Sequence, residues 1–181
     1  MATVLHRGER VVLRRPATAD AEEFVRQVAA SHKLYRRFAE PPGDVETYAE
    51  WLRRSRRPDF ELLLIADAGG AGLVGGATLS HISRGDFENA YLGYFGFVSA
   101  LRHGKMTEGV GLVLKHAFVT LALHRVEANI QPGNDASIRL AERCGFRHEG
   151  FSPRYLKIAG RWRDHHRYAM TIEDWRRRRR G

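Results

Sequence analysis

Residues 91–111, YLGYFGFVSALRHGKMTEGVG, constrain the fold more than any other stretch of the chain. Up to Phe97 the segment is aromatic and apolar, the composition of a buried strand. A short polar loop follows, made of Arg102, His103, Gly104 and Lys105. Apolar residues then recur at Val110, Val113, Leu114, Ala117, Phe118 and Leu121, which is one face of a helix predicted over 107–121. Strand, glycine-bearing basic loop and helix, in that order, aim free backbone N–H groups and the positive end of a helix dipole at one point. Such a point binds phosphate. Thr107 and Glu108 open the predicted helix, where a hydroxyl can cap it. The competing reading is a plain strand-to-helix connection. The basic cluster favours the anion site, and no second glycine-rich signature suggests a dinucleotide fold or a Walker loop.

A chain of 181 residues is long enough for one domain with a sizeable core, expected here to span 1–181. No apolar run is long enough for a membrane span, and the N-terminus lacks the apolar region of a secretory signal. The single cysteine, Cys144, excludes an internal disulfide, which fits a cytoplasmic protein. The net charge of +9 favours anionic partners such as nucleotides, coenzymes or RNA, although an arginine-rich genome would give the same excess.

Residues 10–14 read as a first strand closed by Pro16, and Thr18 as the N-cap of a helix carrying Ala21, Phe24, Val25 and Val28. A second amphipathic helix shows Val45, Tyr48, Ala49 and Leu52 on one face. Residues 61–66, 72–82 and 91–97 form an antiparallel meander, followed by the long helix and a strand at 125–130. Asp135 starts a short helix that Gly145 stops. Residues 146–170 supply two or three strands with turns at Pro153 and Gly160, and 176–181 form a basic tail. The expected architecture is α+β: a mostly antiparallel twisted sheet of about six to seven strands flanked by about four helices. The strand–helix–strand succession favours one local parallel pair.

This order resembles the GCN5-related N-acetyltransferases, and within them the ribosomal-protein-alanine N-acetyltransferase group. The resemblance runs from Arg10 to Trp175. It rests on SRGDFENAYLGY, LRHGKMTEG, HRVEANIQPGNDAS, ERCGFRHEG and GRWRDHHRYAM, all at family spacing. The family's pyrophosphate loop falls on Leu101, Arg102, His103, Gly104, Lys105 and Met106; Gly104 matches, whereas Leu101 and Met106 depart from the general pattern. The resemblance implies an acetyl-CoA site formed by Tyr94, Phe95, Gly96 and Phe97, the loop 102–107 including Thr107, and Asn134 and Ser137. It implies that a backbone N–H of 94–97 holds the thioester carbonyl.

The implied reaction is direct attack of an amine on the thioester, so no covalent enzyme intermediate is required. Cys144, on an apolar helix face, reads as a small core residue. An α-amine with a pKa near 8 is roughly a fifth neutral at about pH 7.4, whereas a lysine is neutral at about one part in a thousand. An α-amine therefore needs only a modest base. Glu127 is the candidate base, Glu88 a weaker one, and Ser137 the candidate acid for the thiolate. Each has a bland alternative: a salt-bridged strand Glu, a charge beside a turn, a polar helix residue. His165 and His166 are adjacent and point to opposite faces of a strand, so no metal site is expected. The implied acceptor is a protein N-terminal amine. A small amine (polyamine, amino acid or antibiotic) is the alternative, and a basic ribosome- or RNA-associated module without turnover is the non-enzymatic one. Membrane association is not expected, and monomer and homodimer are both open.

Overall fold

The computed structural model describes residues 3–35, 38–101 and 103–180. Eight strands form one sheet: β1 (Val4–Arg7), β2 (Val11–Arg14), β3 (Phe60–Asp67), β4 (Leu73–Ser80), β5 (Asn89–Gly96), β6 (Arg125–Ile130), β7 (Arg147–Ile158) and β8 (Arg161–Thr171). Their order is β1-β2-β3-β4-β5-β6-β8-β7. Every neighbour is antiparallel except β5 and β6. Five α-helices accompany them: α1 (Ala21–Tyr35), α2 (Val45–Arg54), α3 (Lys105–Lys115), α4 (Asp135–Cys144) and α5 (Ile172–Arg178). The parallel pair is the expected one and follows from the crossover through α3.

Alternation along β3 shows how the layers are built. Leu63 and Ile65 enter a core shared with Val110, Val113 and Leu114 of α3, while Phe60, Leu62 and Leu64 enter a second core with Phe24 of α1 and Tyr48 and Trp51 of α2. Both faces of this central strand are covered, so its sequence is apolar without a polar phase. The helices thus sandwich the sheet.

Several local readings are corrected by the structure. The sheet gains β1, a four-residue edge strand whose short run gives no periodic signal. Thr18 lies inside a 3₁₀ turn (Thr18–Asp20) whose cap position is Ala17; Asp20 reaches back to the Ala17 N–H. On α2 the buried face is Tyr48 and Trp51, while Val45 in the first turn is 51% exposed. Asp44 caps that helix by accepting from the Thr47 N–H at 2.7 Å. Pro153 sits in an irregularity of the β7–β8 ladder, so the segment 146–170 is a single long hairpin that turns at Ala159 and Gly160. The C-terminal arginines are not all a tail. Arg176, Arg177 and Arg178 form the last turn of α5; Arg178 Nη2 donates to the Arg143 carbonyl at 3.1 Å, and the Arg179 guanidinium stands 4.8 Å from the Trp175 ring centre.

Candidate active site

The site is made by two strands that part. β5 and β6 pair only through Asn89, Ala90 and Tyr91 opposite Arg125, Val126 and Glu127. Beyond Tyr91 each continues without the other, β5 to Gly96 and β6 to Ile130. The Phe97 N–H donates to the Val74 carbonyl, which fixes the phase of the antiparallel ladder with β4. By that alternation the amides of Tyr94 and Gly96 face away from β4, into the gap. The Gly96 carbonyl is held there by the Tyr35 hydroxyl at 2.8 Å. The Tyr94 hydroxyl crosses the gap and donates to the Ser137 carbonyl at 2.8 Å, tying β5 to α4.

Two cavities open from this gap. One, of about 860 Å³, runs along Tyr35, Tyr94, Gly96, Gly104, Met106 and Thr107. The other, of about 560 Å³, lies over Trp51, Gly93, Asn129, Gln131 and His165. Phe38, Ala39, Tyr94, Phe95, Asn134 and Ser137 line both, so the two chambers share one wall at the parted strands.

The larger chamber suits an elongated anionic ligand. Gly104 occupies the N-cap of α3 at φ 71, and no side chain caps that helix. Thr107, expected as a cap, is therefore in the first turn, and the helix starts earlier than 107 because glycine tolerates the left-handed turn. The amides of Lys105, Met106 and Thr107 have no acceptor among the described residues. Arg143 adds positive charge, Arg10 is paired with Glu108, with Nε 3.3 Å from Oε2, and Glu9 also lines the chamber, so the free amides of the α3 N-terminus are the main anion partners. Of the expected loop side chains, Lys105 turns aside to pair with Asp67, and His103 is exposed and offers its carbonyl to Arg10. Arg102 lies outside the described residues. Phe97 is fully buried in the core under α1 and is absent from the lining of either chamber. The loop thus contributes backbone more than side chains.

Asn134 is the N-cap of α4, its Oδ1 accepting from the Ser137 N–H at 3.3 Å. Glu127, 9% exposed, shares its sheet face with Asn129, but the Arg125 Nε donates to it at 2.8 Å, and it lines neither chamber. The same guanidinium holds Glu149, whose pKa is pulled down to about 2, chiefly by that contact. Glu88 is exposed at the far end of β5, where its carbonyl accepts from His124 and Arg125. Burial pushes the Cys144 thiol up to about 11, which suits the core role expected of it. Sequence reasoning missed Tyr35, Arg10 and Arg143 in the larger chamber and His165 in the smaller one. His165 carried a signal only in its strand phase, opposite to that of His166.

Residues 10–147 match the acetyltransferase (GNAT) domain family. The chain belongs to the GNAT acetyltransferases. It is 31% identical over 179 residues, 93% of this chain and 97% of the relative, to the probable N-acetyltransferase YjcK of Bacillus subtilis. It is 38% identical to the Escherichia coli [ribosomal protein uS5]-alanine N-acetyltransferase over 103 residues, 57% of this chain and 53% of that protein. Among solved structures, Mycobacterium smegmatis RimJ in complex with CoA-disulfide superposes with a TM-score of 0.83 at 28% identity, covering 91% of this chain and 83% of that one. The GNAT chain is accordingly an acyltransferase, with the fold expected from its sequence and with eight strands in place of six or seven. Among the described residues no helix is long and apolar enough to cross a membrane.

Proposed function

We propose that this enzyme transfers acetyl from acetyl-CoA to the α-amine of a protein N-terminus. The observation that carries the reading is the pair of chambers meeting at Tyr94 and Ser137. The larger, with its helix N-terminus and Arg143, accepts the pyrophosphate and pantetheine arm. The relative solved with a CoA-disulfide supports that assignment. The Tyr94 amide, facing the gap, is the donor for the thioester oxygen. Ser137 stands at the junction, where it can meet the departing sulfur. The smaller chamber takes the amine. Its rim carries Glu40, Asp44 and Glu50 against the single cation Arg54, among the described residues. An acidic rim on a chain of net charge +9 offsets the general repulsion of a cationic acceptor. The similarity to a ribosomal-protein-alanine enzyme supports a protein N-terminus over other amines. Association with a ribosome through the basic surface and a cytoplasmic location belong to the same reading.

The test is acetyl-CoA turnover on a panel of N-terminal peptides, polyamines and amino acids. Peptide α-amines are expected to give the highest kcat/KM. Turnover confined to small amines would replace the acceptor class, and coenzyme binding with no amine-dependent turnover would leave a binding module. The loop is tested by Gly104→Val. It places a β-carbon at φ 71, 3.1 Å from Arg10 Nη1 and beside the approaching phosphate. Acetyl-CoA affinity is expected to fall tenfold or more, about 1.4 kcal/mol, by calorimetry. Unchanged affinity in a folded variant would remove the loop from the coenzyme site.

A further inference from the structure

A GNAT enzyme acting on an ammonium group must remove a proton before nitrogen can attack, and Glu127 is held by Arg125 outside the chambers. The smaller chamber contains another titratable group on its wall. His165 is 2% exposed and lines that chamber from β8. Its Nδ1 lies 3.0 Å from the Arg163 carbonyl. A carbonyl only accepts, so Nδ1 carries the proton and Nε2 of the neutral ring is left as a lone pair. Nε2 has no hydrogen-bond partner among the described residues. Asn129 Oδ1 is buried without a partner, and Asn129 lies opposite Arg167, diagonal to His165 on the same sheet face. His165 and Asn129 are thus diagonal neighbours on the sheet face that lines the smaller chamber, each carrying an acceptor that no described residue satisfies.

We propose that His165 Nε2 is the general base of the transfer, taking the proton of the acceptor ammonium directly or through one bridging water, while Asn129 Oδ1 accepts a second N–H and orients the nitrogen. This rests on the acetyltransferase reading of the two chambers. The balance is complete within it. One proton passes from nitrogen to Nε2. The freed lone pair forms the C–N bond to the thioester carbonyl, and the C–S bond breaks with its electron pair on sulfur. The second proton lost from nitrogen ends on sulfur, giving free CoA thiol, and the imidazolium returns its proton to solvent. Burial lowers the His165 pKa, opposed by the Arg163 carbonyl and the Asp164 charge, so the ring is in its basic form at neutral pH. Arg163 and Arg167 flank it on the same face of β8, Tyr155 of β7 faces it with ring centres 6.2 Å apart, and Glu40, Asp44, Glu50 and Arg54 stand around the chamber.

The tests are His165→Gln and His165→Asn, with Glu127→Gln as the comparison. Each His165 variant is expected to lose about 10²-fold in kcat near neutral pH with acetyl-CoA affinity within about twofold of wild type. The defect should shrink as pH rises toward the acceptor's own pKa, and added imidazole should restore part of the rate in a folded His165→Ala. Glu127→Gln should keep the wild-type profile. A His165→Gln profile that overlays wild type, or a Glu127→Gln profile that loses its acid limb, would overturn the assignment. Nitrogen NMR of the imidazole gives a readout without turnover: Nδ1 protonated and Nε2 bare is expected, and the reverse tautomer would overturn the proposal. Absence of amine-dependent turnover in wild type would instead sink the acetyltransferase reading, and the role of His165 with it.

Discussion

Phe24→Ala is expected to cost about 3–5 kcal/mol of folding stability, read from urea unfolding. Phe24 has no exposed surface and stands at the centre of an aromatic cluster. Its ring centre is 5.0 Å from Tyr48, 5.2 Å from Trp51, 5.6 Å from Phe97 and 5.9 Å from Phe95. Truncation leaves a cavity walled by large rings from α2 and the end of β5, which cannot all move in together. A loss of that size is a large share of the net stability of an ordinary domain, about 5–15 kcal/mol. The effect should reach function unevenly. Trp51 and Phe95 are walls of the smaller chamber, so the folded fraction is expected to show a raised acceptor KM. α3 packs on the opposite face, and of these rings only Phe95 reaches the larger chamber, so coenzyme affinity should change less. Phe24→Leu should fall between, keeping most of the volume. A stability loss below about 1 kcal/mol in Phe24→Ala would mean that the cluster repacks and does not brace the acceptor wall.

The parts of the fold legible in the sequence were those with strong local chemistry. Strand β6 was read at its observed bounds because Pro132 and Gly133 stop it, and α4 because Gly145 ends it at φ 94. The parting of β5 and β6 is not legible in the sequence, since a missing ladder leaves no periodic trace. The face of α2 was misread because burial was decided by aromatic volume from α1 and β5, which is a tertiary effect. Long helical periodicity to Leu121 was real, but its last part, His116–Thr120, is a π-helical turn that shifts the phase. For the site, the expected backbone roles at Tyr94 and Gly96 come from the resemblance and that at Gly104 from the strand–loop–helix order. Side chains divide: Lys105 is drawn to Asp67, a partner distant in sequence, while Glu127 takes the salt-bridged alternative with Arg125, its neighbour two residues away on the strand face.

The π-helical turn begins at His116, and that residue is expected to weigh most on stability in mild acid. His116 is 1% exposed, and neither ring nitrogen has a hydrogen-bond partner among the described residues. Burial, with smaller contributions from His6 and Arg15, pushes its pKa down to about 4 from 6.5. The Glu61 Oε2 stands 4.0 Å from Nε2, too far for a hydrogen bond, and Arg15 already holds that carboxylate at 3.0 Å. The folded state thus keeps His116 neutral where the unfolded chain would protonate it. Such a depressed group contributes stability that is complete above the unfolded pKa and is lost as pH falls toward the folded one. A difference of this size corresponds to roughly 3 kcal/mol across the interval. The acid groups held low, Glu149 among them, begin to cost stability only below their ordinary range, near about 4.5, so they do not act in the upper part of that interval. His6 and His165 are lowered too and act in the same direction, whereas Glu61 is raised by burial and opposes them. Urea midpoints are therefore expected to fall between about pH 7 and about pH 5 in wild type, and to fall less in His116→Gln. Equal slopes in the two proteins would show that His116 finds a partner for its proton inside the fold, with Glu61 the nearest carboxylate able to supply one.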